Sequence, residues 1–277
     1  MSIVTLAALR RMTALIPPIP HASGLSNRIV KPLYLTISRD PVELPVWNGL
    51  RMKLDPADAL GGYLCFIPHL YDRWERGVIE NHLRHDMTFV DLGANIGAYS
   101  LWASQFLSAE GGLVAIEASP SVFRTLEHNL RLNTIRAPWK AICKGVSDKQ
   151  ETLSFAQNIH GNAGGSGFLP ESKGSAIPLE CDTLLSVLLS NGIDRMNFLK
   201  VDIEGFELRV LRRFFQDVRG LPALKPEFVL VEIFEGPLRA AHANTAALLG
   251  VLDSAGYVTV EHHGNSLFRL RPDKSAR

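Results

Sequence analysis

The chain has 277 residues, of which 46% are hydrophobic and 21% are charged. These values are typical of one large globular domain, or of one domain with an extension, and they allow a sizeable core. The net charge of +1 argues against a nucleic acid or an anionic membrane as the main partner. The three cysteines form neither a metal-binding spacing nor a Cys-x-x-Cys pair, which favours a reduced, cytoplasmic setting.

The first segment of the chain is apolar but does not fit a targeting signal. Residues 1–16 carry Arg10 and Arg11 in their middle, whereas a secretory signal has its charges first, and the apolar run is too short for a membrane span. We therefore expect no stable membrane association. The segment predicts a short amphipathic helix that docks on the domain or frays, and contacts with a second copy or a membrane surface are the alternatives.

The next segment is predicted to be irregular. Residues 28–54 carry three prolines and alternate loosely between polar and apolar side chains, which predicts short strands and turns. Val30 to Ile37 and Leu50 to Leu54 are the strand candidates. We assign residues 1–60 to an N-terminal extension and residues 61–277 to the main domain.

A strand, a tight turn and a helix are predicted around two glycines. The apolar run Met87–Val90 ends in Asp91, Gly93 and Gly97 follow, and a helical pattern begins between the glycines and runs to about Leu107. Glycine lets a ligand lie against bare backbone, and free N–H groups at the helix start complete a nucleotide-sized crevice. The third glycine of a dinucleotide site is missing, and an acid repels phosphate but suits a cation. The pattern therefore favours S-adenosylmethionine over a dinucleotide.

Three further strand ends carry polar or small residues. The second strand ends in Glu117, which can accept both hydroxyls of a ribose, the third ends in Gly145–Asp148, and the fourth, Met196–Val201, ends in Asp202. Regular alternation of strands and helices predicts a parallel sheet with right-handed crossovers, so these ends would share one edge. Asn129, near the end of the helix after Glu117, is expected to cap that helix.

An insertion interrupts this alternation. Two predicted strands, Glu151–Ala156 and Ser175–Leu179, flank a polar, glycine-rich segment over about residues 157–174. The segment is either a floppy connection or a lid over the acceptor. As a lid, it would bring His160 to the substrate when it closes.

Four motifs together resemble the FkbM-type methyltransferases, which are class I enzymes that use S-adenosylmethionine. They are Asp91-Leu-Gly-Ala-Asn-Ile-Gly, Glu117-Ala-Ser-Pro, Gly145-Val-Ser-Asp and Lys200-Val-Asp-Ile-Glu-Gly-Phe-Glu. The resemblance covers roughly residues 60–270, and the last motif is its most specific part. It implies a Rossmann-like α/β fold with a mostly parallel seven-stranded sheet and a terminal antiparallel hairpin, which Tyr257–Leu270 would form.

The resemblance also implies a cofactor site. S-adenosylmethionine would be the methyl donor and S-adenosylhomocysteine the product. A predicted helix over Tyr71–Leu83 would cover the cofactor by this resemblance, because its Trp74-Glu75 matches an aromatic–acid pair of the family, and the alternative is a helix that only packs on the sheet. The predicted cofactor-binding residues are Glu75, Asp91, Gly93, Ala94, Asn95, Gly97, Tyr99, Glu117, Ala118, Ser119, Val146, Ser147 and Asp202.

Methyl transfer to an alcohol requires a base or a metal that removes the proton. The predicted catalytic residues are Asp202, Glu204, Glu232 and, from the lid, His160. The alternative for Glu204 is stabilisation of a helix N-terminus, and the alternative for Glu232 is an ion pair with Lys200. Clustered carboxylates also suit a divalent cation, but the spacing does not require one, and we predict no metal.

These features predict a cytoplasmic O-methyltransferase, and the family resemblance implies a role in natural-product biosynthesis. Its acceptor would be a hydroxylated small molecule, such as a sugar or a secondary metabolite, rather than a nucleic acid. Two alternatives stay open: an N-methyltransferase, and a non-catalytic module that binds S-adenosylmethionine in the same fold. A homodimer is a further alternative for its assembly.

Overall fold

The computed structural model describes residues 2–15, 26–156, 167–168, 176–233 and 244–272. The strands of these residues, in chain order, are β1 (Val42–Pro45), β2 (Arg51–Leu54), β3 (Thr88–Leu92), β4 (Gly112–Glu117), β5 (Trp139–Cys143), β6 (Gly145–Ser147), β7 (Glu151–Ala156), β8 (Gly167–Phe168), β9 (Ala176–Thr183), β10 (Phe198–Val201), β11 (Phe228–Val231), β12 (Tyr257–His263) and β13 (Asn265–Leu270).

The α-helices of the same residues are α1 (Ser2–Thr13), α2 (Lys31–Leu35), α3 (Ala59–Phe66), α4 (Arg73–His82), α5 (Ala98–Ser104), α6 (Pro120–Arg131), α7 (Leu184–Ser190), α8 (Glu207–Asp217) and α9 (Thr245–Ser254). A π-helical turn, Ser26–Val30, leads into α2. Short 3₁₀ turns lie at Pro68–Leu70, Val218–Gly220 and Pro222–Leu224. None of the described helices has the length and apolar character that crossing a membrane requires.

A seven-stranded sheet in the order β12–β13–β11–β10–β3–β4–β5 organises the fold. Its strands are parallel except β13, which runs antiparallel to both β11 and β12. The central strands β3, β10 and β11 are buried along their whole length, because helices cover both faces of the sheet. The predicted Rossmann-like α/β fold, with its mostly parallel sheet and terminal antiparallel hairpin, is confirmed.

A second sheet, in the order β6–β9–β7–β8, begins in the sequence directly after β5, which is the third strand of the central sheet in chain order. The prediction that the third core strand ends in Gly145–Asp148 is wrong, because the core strand β5 ends at Cys143 and Gly145–Ser147 pairs with β9 instead. Val146 and Ser147 are buried in this second sheet. The chain passes from β5 to β6 within two residues, and the sequence carries no turn signal there. Most of the predicted lid, including His160, lies outside the described residues.

The extension differs from its predicted form. The predicted strand Val30–Ile37 is wrong, since residues 26–35 are helical and Tyr34 is fully buried with its ring against Phe66. Val30 and Tyr34 are four residues apart, which places both on the inner face of a helix, and Pro32 is tolerated in its first turn. The predicted strand Leu50–Leu54 is confirmed as β2, which pairs with β1.

Asn129 joins this extension to the glycine turn. Its Oδ1 accepts the Lys53 N–H at 2.6 Å, and its Nδ2 donates to the carbonyl of Ile96 at 2.8 Å. Asn129 is fully buried. The expectation that it caps its own helix is therefore wrong, because both ends of its amide bind backbone groups of other segments.

Candidate active site

The turn between β3 and α5 is built on positive φ angles. Gly93 has a φ of 79°, Asn95 of 50° and Gly97 of 93°. A Cβ atom on Gly93 would lie 1.7 Å from the carbonyl oxygen of Asp202. Glycine is thus required because the turn packs directly on the end of β10, and this contact brings the first and fourth predicted strand ends together.

Glu117, at the end of β4, holds the same turn from the other side. Its Oε2 accepts the Asn95 N–H at 3.0 Å and its Oε1 accepts the Ser119 N–H at 2.8 Å. Burial raises the pKa of Glu117, and these two N–H groups oppose the shift. Each carboxylate oxygen keeps a lone pair for a further donor, such as a ribose hydroxyl.

Asp91 faces an internal cation rather than solvent. It is fully buried, its Oδ2 accepts the Ser100 hydroxyl at 2.6 Å, and its Oδ1 lies 3.4 Å from Nζ of Lys200. Lys200 also donates to the Gly93 carbonyl at 3.2 Å and to Oδ2 of Asp202 at 3.1 Å. Burial alone would lower the pKa of Lys200, but the charges of Asp202 and Asp91 outweigh burial and raise it.

Three predicted catalytic carboxylates meet at the ends of β10 and β11. One ligand oxygen each from Asp202, Glu204 and Glu232 lies within 4.8 Å of the others. Burial, and then the charge of Asp202 and a hydrogen bond to it, raise the pKa of Glu232 to about 9. Burial also acts to raise the pKa of Asp202, but Lys200 and the hydrogen bond from Glu232 lower it overall. At neutral pH the proton of this pair therefore resides on Glu232.

Glu204 combines a strained backbone with a carboxylate whose pKa is raised. Its φ is 53°, and Gly205 follows with a φ of 105°. Burial and the charges of Asp202 and Glu207 raise the pKa of Glu204 to about 7. The alternative role at a helix N-terminus belongs to Glu207, whose Oε1 accepts the N–H groups of Ile203 at 3.0 Å and Gly205 at 3.1 Å.

The three carboxylates open into a cleft of about 940 Å³. Asn95 and Tyr99 of the glycine turn and its helix line it, as do Trp74 and Glu75 of α4, so the aromatic–acid pair shares a cleft with the three carboxylates. The turn between β12 and β13 closes the opposite side, where Asn265 donates to Oε1 of Glu75 at 2.9 Å. Sequence reasoning thus predicted most of the carboxylates that surround this cleft.

Sequence reasoning missed two parts of the site. Asp72 lines the cleft with a φ of 37° and accepts the Tyr99 hydroxyl at 2.6 Å. Lys200, named only as a partner for Glu232, instead joins Asp91 to Asp202. A lysine inside the otherwise apolar strand Phe198–Val201 was the available signal, because a buried ammonium needs carboxylates around it.

Several predicted site residues do not line the cleft. Val146 and Ser147 are buried in the second sheet, where the Ser147 hydroxyl donates to Glu151 at 2.6 Å. Ala94 and Ser119 contribute through the backbone, since Ala94 N–H donates to the Ile116 carbonyl. The other predicted cofactor-binding residues that do not line the cleft support the glycine turn or adjoin it; they are Gly93, Gly97, Asp91, Glu117 and Ala118.

The carboxylate oxygens at this site fit S-adenosylmethionine, the cofactor that the resemblance implies. Glu117 keeps free lone pairs at the end of β4, and Asp202, Glu204 and Glu232 line the cleft with further carboxylate oxygens. These atoms are acceptors. They suit a ligand that offers hydroxyl groups, an amino group or positive charge, and they disfavour a pyrophosphate.

The comparison with known proteins agrees with the motifs. The family model of the methyltransferase FkbM domain matches residues 91–259. The chain is 30% identical over 179 residues to Methyltransferase sdnD of Sordaria araneosa, which covers 53% of this chain and 65% of that protein. It is 28% identical over 148 residues to Methyltransferase 1 of Beauveria bassiana strain ARSEF 2860, and this match covers 46% of this chain and 58% of that protein. The matches thus span less than two thirds of either relative.

Solved structures show weaker similarity. A putative O-methyltransferase from Klebsiella pneumoniae is 10% identical, with a TM-score of 0.43 over 72% of this chain and 80% of that chain. Aeropyrum pernix fibrillarin, solved with S-adenosyl-L-methionine, is 11% identical, with a TM-score of 0.42 over 71% and 73%. Likenesses this weak add nothing to the family match, which covers more than half of the sequence. The chain belongs to the FkbM methyltransferase family.

Proposed function

We propose that the chain uses S-adenosylmethionine to methylate a hydroxyl group of a sugar or another small natural product. The observation that carries this proposal is the meeting of Asp202, Glu204 and Glu232 with the glycine turn at one cleft. S-adenosylmethionine, when bound, supplies a methyl group on a positively charged sulfur. The remaining chemistry is the alignment of the acceptor and the removal of its proton.

The binding residues divide between the two sides of the turn. Glu117 would hold the ribose, because its oxygens keep free lone pairs while the N–H groups of Asn95 and Ser119 fix its orientation. The Asn95 side chain and Glu75 would contact the polar groups of the donor from the cleft. Asp91 would act through Lys200 and the Gly93 carbonyl, since its own carboxylate is fully buried.

Glu204 is the carboxylate best suited to accept the proton. Asp202 is held by Lys200, which lowers its pKa and weakens it as a base, and Glu232 already carries a proton. Glu204 lines the cleft, and among the described residues no hydrogen bond to its carboxylate occurs. Its pKa of about 7 matches the requirement for a base that acts near neutral pH. Asp202 would then orient the acceptor.

The cleft lining supports a neutral, hydroxylated acceptor. Tyr63, Tyr71 and Trp74 offer aromatic faces on which a sugar ring or a hydrophobic scaffold could pack, and Asp72 offers a carboxylate that accepts hydroxyl groups. An anionic acceptor would be repelled by the carboxylates around it. An amine would be tolerated, so an N-methyltransferase is an outcome that the test must distinguish.

The first experiment asks which cofactor binds. Thermal unfolding with S-adenosylhomocysteine should raise the melting temperature, and NAD, as the matched adenine control, should not. Stabilisation by NAD alone would reverse the cofactor assignment. A lack of stabilisation by either compound would favour a non-catalytic module.

The second experiment identifies the acceptor. Sugars, hydroxylated natural products and amines are screened for release of S-adenosylhomocysteine, with and without a chelator. Turnover with alcohols supports the proposal, whereas turnover with amines alone contradicts it. Loss of activity with the chelator would show that the three carboxylates share a divalent cation.

A further inference from the structure

The extension carries an exposed apolar ridge that methyl transfer does not explain. Ile29, Leu33 and Ile37 follow one another at intervals of four residues, along the helical stretch 26–35 and the turn after it. All three side chains are about half exposed, whereas Tyr34 faces inward and is fully buried. One side of this stretch therefore packs on the protein, and apolar side chains remain on the other.

The end of α1 adds to this surface. Thr13 donates a hydrogen bond to the carbonyl of Phe66, and the ring of Tyr34 packs on the ring of Phe66, so both helices dock on the end of α3. Ten large apolar side chains are exposed in the described part of the chain, and half of them belong to this region. We define the N-terminal apolar surface as these five residues: Met12, Leu15, Ile29, Leu33 and Ile37.

Charge sets this surface apart from the rest of the chain. Residues 1–39 contain five of the 29 Lys and Arg residues and none of the 28 Asp and Glu residues, so the remainder of the chain is net negative. Arg11, Arg28 and Arg39 are exposed beside the apolar side chains. The same basic patch on a second copy would be repelled across a two-fold contact, whereas anionic lipid headgroups would attract it. Apolar side chains flanked by arginines are typical of segments that lie in the bilayer interface.

We propose that the N-terminal apolar surface docks reversibly on an anionic membrane surface. Ile29, Leu33 and Ile37 would enter the headgroup region, and the arginines would contact anionic headgroups. This revises the expectation from overall composition, because a net charge of +1 averages a basic extension with an acidic domain. Lys31 of α2 lines the cleft, so docking would hold that rim of the cleft beside the bilayer.

The test uses the full chain and two kinds of vesicle, one of phosphatidylcholine alone and one of equal parts phosphatidylcholine and phosphatidylserine. We expect the chain to co-sediment with the mixed vesicles and to be released by salt. The double variant Leu33→Gln/Ile37→Gln should bind them roughly tenfold more weakly. Arg28→Gln/Arg39→Gln should weaken binding by a similar factor, on the order of tenfold.

Matched controls distinguish binding through this surface from nonspecific adsorption through any exposed apolar side chain. Leu189 and Leu249 are also exposed but lie on α7 and α9, so Leu189→Gln/Leu249→Gln should bind as the wild type does. Binding to neither vesicle, or equal binding by the Leu33→Gln/Ile37→Gln variant, overturns the proposal. A dimer in light scattering that this variant abolishes, without vesicle binding, shows that a second copy covers the surface and also overturns it. None of these measurements depends on methyl transfer, so their outcome is independent of the proposed function.

Discussion

The ammonium of Lys200 lies 3.1 Å from Oδ2 of Asp202, at the end of β10 where three carboxylates meet. This ion pair keeps Asp202 ionised and leaves the shared proton on Glu232. It also connects the end of β10 to the glycine turn, because the same ammonium binds the Gly93 carbonyl and faces Asp91. The roles proposed for Asp202, Glu204 and Glu232 can therefore be separated by substitution.

Asp202→Asn should impair turnover more than cofactor binding. The amide keeps the shape of the side chain but removes the charge that orients the acceptor, while Asp91 still compensates Lys200. We expect kcat to fall by on the order of 10²-fold, with the Kd of S-adenosylhomocysteine, measured by calorimetry, changed only a few-fold. Asp194→Asn, at an exposed position, is the control. A fully active Asp202→Asn enzyme would remove this residue from the mechanism.

The activity should rise with pH through the titration of Glu204. Only the ionised carboxylate accepts a proton, and its pKa is about 7, so kcat should increase from pH 6 to pH 8 with a midpoint near 7. Glu204→Gln should lose this dependence and lower kcat by roughly 10²- to 10⁴-fold. Initial rates across pH with a saturating acceptor measure both effects. A Glu204→Gln enzyme that keeps the wild-type profile would assign the base elsewhere.

Glu117→Ala should weaken cofactor binding. The change removes the proposed acceptor of the ribose hydroxyls and the two bonds to backbone N–H groups that shape the turn. We expect the binding free energy of S-adenosylhomocysteine to fall by about 1–3 kcal/mol, as for one lost charge-assisted contact. Calorimetric titration measures it, with Glu110→Ala as the exposed control. Unchanged affinity would place the ribose away from Glu117.

The sequence was sufficient for features that depend on local pattern. Apolar runs that end in Asp91, Glu117 and Asp202 marked the strand ends, because parallel strands deliver their carboxyl ends to one edge. The ion pair between Lys200 and Asp91 could not be predicted from local pattern, because the two residues are opposite each other only through the register of β10 on β3. Asn129 was missed for the same reason, as its partners lie 33 and 76 residues away in sequence.

Glu232→Gln should change how stability depends on pH. The pKa of Glu232 is about 9 in the folded protein and near 4.5 when unfolded, so the folded state retains a proton that the unfolded state loses. The stability that this proton contributes is fully present below about pH 4.5 and is lost as the pH rises toward 9, at up to about 1.4 kcal/mol per pH unit. Urea unfolding at several pH values should therefore show a shallower decline for Glu232→Gln. Parallel curves for the two proteins would contradict the raised pKa.

The close contact of Gly93 with the Asp202 carbonyl brings the two halves of the site together. Gly93→Ala would place a Cβ atom 1.7 Å from the Asp202 carbonyl oxygen at a residue whose φ is 79°, and this neighbour is backbone, which cannot turn aside as a side chain can. We expect a loss of more than about 4 kcal/mol in the free energy of unfolding, or no folded protein. Gly77→Ala is the matched control, because its added Cβ meets no atom within 4 Å beyond its chain neighbours and the backbone of its own helix, and Gly77 is inside α4. That change should stabilise the protein by about 0.5–1 kcal/mol. Similar urea midpoints for the two variants would show that the glycine turn does not pack on β10 as described.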